Sequence, residues 1–276
     1  MIPAPFEYER VESVDQAIQL LGDHPDAKVL AGGHSLLPLM RLRLARPSML
    51  VDISRIADMS YVRDGGDHVS IGALTTHHDV ANSEVLQELC PIVSYTASGI
   101  GDPQVRHVGT IGGSCAHADP ASDMPAVLVA LGAELVVAGR KKKARTVAAA
   151  DFFKSLFEPD LAANEILTEI RVPRTAGRGW SYLKFHRRAQ DWALVGVAAL
   201  AANGSGAAVV LTNMGERPIR AAGVEEELAG GADPAAAAKR AAEGTSPPSD
   251  AFASAEYRSE LVKVLVRRAL EEAMSR

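Results

Sequence analysis

Two glycine-rich turns constrain this chain more than any other feature: Ala31-Gly32-Gly33-His34-Ser35 and Thr110-Ile111-Gly112-Gly113-Ser114, each set between segments patterned like ordinary core structure. Glycine tolerates positive φ and lets backbone amides come close to a ligand, so such a turn can present a row of N–H donors to an anion. Two of them can hold a pyrophosphate. A glycine doublet also marks turns that bind nothing, so for either one alone both readings stay open. No dinucleotide fingerprint of the parallel-sheet kind is present. Gly99-Ile100-Gly101 begins one, but Gln104 stands where the third glycine is required, and the preceding segment reads as helix. A phosphate site in this chain must therefore be built from two separated loops.

At 276 residues the chain exceeds the usual single-domain size, which suggests two or three subdomains. Its formal net charge of −5 argues against a nucleic-acid footprint. The apolar runs near 124–138 and 192–202 are too short or too interrupted by charge to span a bilayer, and the N-terminus lacks the basic-then-apolar order of a signal peptide. Two cysteines, Cys90 and Cys115, cannot form a disulfide framework or a four-cysteine cluster site, so any iron–sulfur centre must sit on another chain.

Along the chain, Ser13-Val14-Asp15-Gln16 has capping-box spacing and opens a helix to about Leu21. Lys28–Ala31 reads as a strand entering the first glycine turn, Leu36–Leu42 as helix and Met49–Ile53 as strand, a small α/β unit. Asp64-Gly65-Gly66-Asp67 is a turn before a strand over His68–Leu74, and helical segments run from Thr76 to about Gly99. After the second glycine turn come a helix beginning near Asp123, a strand over Glu134–Ala138 and a turn over Gly139–Lys143. From Trp180 three strand-like runs follow, Tyr182–Arg187, Ala193–Ala202 and Ala207–Thr212, and two helical stretches close the chain, with Pro247-Pro248 as a break.

The wording around the two glycine turns resembles a known family. Residues 30–52, beginning Leu-Ala-Gly-Gly-His-Ser-Leu-Leu-Pro-Leu-Met, and residues 101–125, with Gly-Thr-Ile-Gly-Gly-Ser-Cys-Ala-His-Ala-Asp-Pro-Ala-Ser-Asp-Met-Pro, are similar to the two flavin-binding segments of the FAD-carrying medium subunits of molybdenum hydroxylases. Carbon-monoxide-dehydrogenase-like subunits are nearest in wording, and the FAD domain of xanthine dehydrogenase is more distant. The resemblance implies an α+β fold of the vanillyl-alcohol-oxidase-like (PCMH-type) group, with FAD between two subdomains at 1–55 and 56–175, and a C-terminal antiparallel sheet with helices at 176–276. It also implies FAD as cofactor and two partners, a molybdenum-cofactor large subunit and a [2Fe–2S] small subunit, assembled as a dimer of heterotrimers. The chain would then be cytoplasmic, with a peripheral position at the inner membrane face through its acceptor left open. Electrons would arrive from the iron–sulfur partner and leave to an external acceptor. A free-standing FAD-dependent oxidase or reductase, and a scaffold subunit that has lost its flavin, are the competing readings. No residue in the chain reads as a substrate acid or base, so the substrate of the complex is invisible from this sequence.

Site residues follow one by one. Backbone amides around Ala31, Gly32, Gly33, His34 and Ser35 are candidates for the pyrophosphate, with the Ser35 hydroxyl as an added donor and the helix from Leu36 turning its positive end inward. His34 is either a contact to the cofactor or a turn histidine with its ring in solvent. Thr110, Gly112, Gly113 and Ser114 match the family's second FAD loop; Ser114 departs from the Asn of the xanthine dehydrogenase pattern. Gly101, Asp102, Gln104 and Arg106 read as that loop's supporting shell. Asp123 matches the family's acidic residue at the ribose or ribityl hydroxyls, a sound pairing because a carboxylate accepts two charge-assisted bonds from a vicinal diol. It also fits an N-cap. Leu167 falls where family members cover the flavin with an aliphatic side chain, and Lys184 at their flavin-adjacent lysine, where a cation stabilises the anionic reduced ring. A strand lysine facing water is the other reading of Lys184. Asp191 and Trp192 resemble the family's aspartate and aromatic near the ring, with a buried structural tryptophan nearly as good a reading. His77, His78, His107 and His117 lack zinc-ligand spacing, Cys115 reads as a small buried filler, and Arg140–Arg145 as a solvated hairpin tip.

Overall fold

The structure, a computed structural model, describes residues 2–139, 144–201 and 206–276. Arg140–Lys143 of the expected turn and Ala202 of an expected strand lie outside the described residues.

The chain opens with β1 (Glu7–Arg10), α1 (Val14–Asp23), β2 (Lys28–Leu30), α2 (Leu36–Arg41) and β3 (Met49–Asp52). Ser13 caps α1 through its side chain, which accepts from the Gln16 amide, while the Gln16 side chain reaches back to the Glu12 amide rather than to Ser13. The three strands form a parallel sheet in the order β1-β3-β2, and the central strand β3 is buried along its whole length. Parallel strands need crossover connections, and α1 and the short α2 supply them.

A second body follows: β4 (Val62–Asp64), β5 (His68–Gly72), α3 (His77–Asn82), α4 (Glu84–Leu89), α5 (Pro91–Ser98), α6 (Pro103–Arg106), α7 (Ile111–His117), α8 (Asp123–Leu131), β6 (Glu134–Ala138), β7 (Ala144–Ala148), α9 (Ala149–Phe152), β8 (Phe153–Ser155), β9 (Glu158–Pro159) and β10 (Ile166–Pro173). Its five-stranded sheet runs β4-β5-β10-β6-β7, all antiparallel. The central strand β10 carries a bulge between Leu167 and Glu169. There the Thr168 hydroxyl donates to the Val136 carbonyl, and the Thr168 carbonyl accepts from the Ala73 amide. Arg145, expected at a solvated tip, is on β7 and bonds Glu165 and Asp160. A guanidinium fork matched to two carboxylates holds β7 to the 160–165 loop.

The last body has β11 (Trp180–Phe185), β12 (Val195–Leu200), β13 (Ala208–Thr212) and β14 (Ile219–Arg220) as an antiparallel meander, then α10 (Ala222–Ala229), α11 (Pro234–Ala237) and the long α12 (Ala255–Ser275). Side chains alternate across a strand. Tyr182, Ala198, Leu200, Ala208 and Val210 join the core of the second body, while Val197, Ala199, Val209 and Leu211 pack on Val262, Val266 and Leu270 of α12. The sheet is thus apolar on both faces, which is why its strands read as nearly continuous hydrophobic runs. Helix α8 is buried over all nine of its residues and touches both β12 and β13. It ends at Gly132, in the left-handed region with φ 66°.

Candidate functional site

The first glycine segment is a loop between β2 and α2. Gly33 has φ 73°, a conformation that favours glycine. Among the described residues, the amide N–H groups of Gly32, Gly33, His34, Ser35 and Leu36 donate to no protein acceptor. Five successive donors without a protein acceptor on a partly buried loop are a feature that suits an anion. The Ser35 side chain makes no capping bond to α2, and His34 is exposed beside it.

The second glycine segment is not a turn. Thr110 is the N-cap of α7, accepting from the Gly113 amide at 3.1 Å, and residues 111–114 are helical. The amides of 111–114 are engaged: Ile111 donates to the Thr75 carbonyl at 3.0 Å, Gly112 to the Ala73 carbonyl at 2.9 Å, Gly113 to the Thr110 hydroxyl and Ser114 to the Thr110 carbonyl at 3.0 Å. Neither glycine has positive φ. Their need is packing, since a Cβ on Gly112 would lie 2.5 Å from the Ala73 carbonyl oxygen. The row of amide donors expected in the second segment is thus not formed; it keeps one amide without a protein acceptor among the described residues, that of Thr110, and side chains such as the half-buried Ser114.

The two segments meet back to back. A Cβ on Gly32 would fall 2.1 Å from the Val108 carbonyl oxygen, so the first loop rests directly on the backbone that enters Thr110. On the far side of that backbone His77, only 4% exposed, donates its amide to the Gly109 carbonyl at 2.9 Å. Burial, reinforced by Arg106 and His34, pushes the His77 imidazole down to about 4, so it is neutral, and its Nδ1 has no partner. His78 stacks on His107 with centroids 3.9 Å apart, so half of the chain's eight histidines gather around this junction. No group of three or more His, Cys, Asp or Glu among the described residues is placed to hold a metal ion. Asp102 caps α6, and Arg106 binds the Ile100 and Gly101 carbonyls at 3.0 and 3.3 Å, tying this junction to the turn after α5.

That turn leads to a second cluster. Lys184 on β11 donates to Asp123 Oδ2 at 2.8 Å and to the Gly99 carbonyl at 3.4 Å. Tyr182, two residues earlier on the same face, donates to Asp123 Oδ1 at 2.6 Å. Asp123 is 6% exposed and is the first residue of α8; its N-cap is Ser122, not Asp123 itself. Burial raises the Asp123 carboxyl above its ordinary range, opposed by Lys184, Tyr182 and, at longer range, His186. Burial and Asp123 together raise the Tyr182 phenol well above its ordinary value, so it is a permanent donor. The sequence singled out Asp123 and Lys184 separately; the fold makes them each other's partner, and Lys184 does not face water, its side chain being 11% exposed. An ammonium has three N–H groups, and two acceptors account for two of them.

Other expected residues lie elsewhere. Leu167 is buried on β10 opposite Val137, within the main core. Asp191 and Trp192 are on the loop between β11 and β12, where Asp191 pairs with Arg188 at 2.8 Å. Trp192 is 57% exposed, which overturns the reading of a buried structural tryptophan. Cys115 is the buried filler expected, its thiol pushed up to about 12 by burial. Sequence reasoning missed Tyr182 and the Val108–Gly109 backbone; the one available signal was the i, i+2 spacing of Tyr182 and Lys184 on a strand.

The residues fit an FAD: the first loop has a row of amides free to meet a diphosphate, and the Lys184 cluster has a nearly buried cation. The sequence pattern of the FAD-binding domain in molybdopterin dehydrogenase matches residues 4–175, and that of the CO dehydrogenase flavoprotein C-terminal domain matches residues 180–273. The chain is 40% identical to the carbon monoxide dehydrogenase medium chain of Hydrogenophaga pseudoflava, over 100% of this chain and 99% of that one. It is 39% identical to the glyceraldehyde dehydrogenase medium chain of Sulfolobus acidocaldarius, over 99% of each. Against a solved structure of Hydrogenophaga pseudoflava carbon monoxide dehydrogenase it superposes with a TM-score of 0.96 at 41% identity, covering 100% of this chain and 99% of that one. No helix among the described residues is long and apolar enough to cross a membrane.

Proposed function

The chain belongs to the family of FAD-binding medium subunits of molybdenum hydroxylases, and on that premise we propose that it is the electron-transfer subunit of such a complex. In this reading it takes electrons from the [2Fe–2S] centres of a small partner subunit, which draws them from a molybdenum-cofactor large subunit, and delivers them to an external acceptor. A dimer of heterotrimers is the assembly that goes with it. FAD, when bound, supplies the step between one-electron donors and a two-electron acceptor.

This chain's own residues bind and tune. The amides of Gly32–Leu36 and the Ser35 hydroxyl hold the diphosphate, which needs donors and no compensating carboxylate. Lys184 places a cation at the ring; Leu167, buried in the core on β10, backs the groove from beneath and does not cover the ring with its side chain, and Asp191 and Trp192 stand on the β11–β12 loop of the C-terminal body. Asp123 serves first as the seat of Lys184, and each of its oxygens keeps a lone pair for a cofactor hydroxyl. The single observation that carries the reading is the run of five loop amides, Gly32–Leu36, that donate to no protein acceptor, because a row of such donors suits an anionic diphosphate.

The substrate is assigned to the large subunit. Relatives named for carbon monoxide and for glyceraldehyde are 40% and 39% identical to this chain over its whole length, so the medium subunit does not track what is oxidised. Anaerobic mixing tests the relay. The isolated FAD-loaded chain should stay oxidised with carbon monoxide or aldehydes, and adding the molybdenum and iron–sulfur subunits should bleach the flavin band. Stoichiometric reduction of the isolated chain by an organic substrate would instead establish a free-standing flavoenzyme.

A further inference from the structure

We propose that Tyr182 is a positioning residue for Lys184: its hydroxyl fixes the Asp123 carboxylate so that Oδ2 seats the ammonium, and it thereby sets the charge Lys184 presents to the cofactor. This rests on the cofactor-facing role of Lys184 given above.

Three features carry it. Tyr182 and Lys184 lie two residues apart on β11, on the face that the strand turns toward α8, and both reach Asp123 at the first position of that helix. Their two bonds use different oxygens, Oδ1 for the phenol and Oδ2 for the ammonium, so the phenol fixes the rotation of the carboxylate. The neighbouring strand is cut away for the phenol: Gly196 on β12 pairs with Lys184, and a Cβ there would lie 2.8 Å from the Tyr182 hydroxyl and 2.9 Å from Thr212 Cβ. A glycine within a fully buried strand weakens it, and here it opens the slot that the hydroxyl occupies.

The consequence is electrostatic. Asp123 and Lys184 together carry no net charge while the carboxylate is ionised. Burial works against that ionisation, and the bonds from Tyr182 and Lys184, with His186 at longer range, work for it. Without the phenol hydroxyl, Asp123 takes up a proton at a higher pH. The uncompensated Lys184 cation then favours the anionic reduced ring. Tyr182 thus acts on the redox centre through two other residues and touches no reacting atom itself.

The test is spectroelectrochemical titration from pH 5.5 to 8.5 of the FAD-loaded chain as wild type, Tyr182→Phe, Lys184→Gln and the double variant. Tyr182→Phe should show a higher midpoint potential than wild type at the acid end and converge with it at the alkaline end, where Asp123 is ionised in both. The double variant should match Lys184→Gln, because the buried Asp123, having lost the ammonium that chiefly opposes its protonation, keeps its proton with or without the phenol. In the FAD-free chain, Tyr182→Phe should lower the melting temperature more at pH 8.5 than at pH 5.5. Potentials identical to wild type throughout, or a shift that persists in the Lys184→Gln background, would overturn the proposal. So would a folded Tyr182→Phe chain that takes up no FAD at concentrations saturating the wild type, since Tyr182 would then shape the groove. A Lys184→Gln potential equal to wild type would sink the cofactor-facing role of Lys184 instead, leaving the FAD-free melting to decide whether Tyr182 positions the pair.

Discussion

Replacing Gly32 with alanine separates two reasons for a glycine at that position. If glycine is there to let a ligand approach, alanine weakens FAD binding and leaves the FAD-free fold untouched. The structure points to the other reason. The added methyl would sit 2.1 Å from the Val108 carbonyl oxygen, 2.8 Å from its carbon and 2.9 Å from Gly109 Cα, against an ordinary contact of 3.4–4 Å. The 108–109 backbone must therefore retreat by more than about 1 Å, the shortfall against a van der Waals separation. It is not free to do so. His77 holds the Gly109 carbonyl at 2.9 Å, the Val105 carbonyl holds the Gly109 amide at 2.7 Å, and Thr110 bridges Thr76 directly behind. Overpacking of this kind costs about 1–3 kcal/mol. That corresponds to roughly 2–4 °C of melting temperature per kcal/mol in a chain of this order of size. Because the retreating segment supports the loop with the five unspent amides, FAD affinity should fall at least tenfold as well, about 1.4 kcal/mol. Urea melts of the FAD-free chain and FAD titration by flavin fluorescence measure the two effects. A Gly32→Ala chain that melts like wild type while losing FAD would refute the packing argument and return Gly32 to the ligand.

Lys184→Met strands a buried carboxylate, which costs about 3–5 kcal/mol at neutral pH. The Asp123 carboxyl is already raised in the folded chain and rises further without the ammonium, so its ionisation opposes folding and the deficit should grow as pH rises and shrink as pH falls. Melting curves at pH 5 and pH 8 check this, and a pH-independent deficit contradicts it. His77, folded at about 4 against an ordinary 6.5, is neutral in the native chain, while the unfolded chain takes up a proton below pH 6.5. Its contribution is therefore complete above pH 6.5 and lost as pH falls toward 4, up to about 3 kcal/mol. His77→Leu should flatten the acid limb of the stability profile; profiles that run parallel from pH 7 to pH 4 would show that this imidazole does not titrate on unfolding.

Local pattern alone determined the elements whose cause is local. The helix opened by Ser13, the strand over Lys28–Leu30, the positive-φ loop at Gly33 and the short helix after it were all legible, because capping, periodicity and glycine act within a few residues. So was the C-terminal meander, whose alternation serves two apolar faces. Strand β10 went unread as a strand because the bulge after Leu167 breaks its two-residue period. Gly112 looked like a turn glycine because what demands it, the Ala73 carbonyl, is brought close only by the fold. The pairing of Lys184 with Asp123 spans 61 residues and joins β11 to α8. The resemblance marked both groups as candidates, yet whether a lysine meets water, a cofactor or a buried aspartate depends on which helix packs beneath its strand. Resemblance in the sequence thus singled out candidate cofactor groups, and tertiary packing decided which of them are already engaged by other parts of the chain.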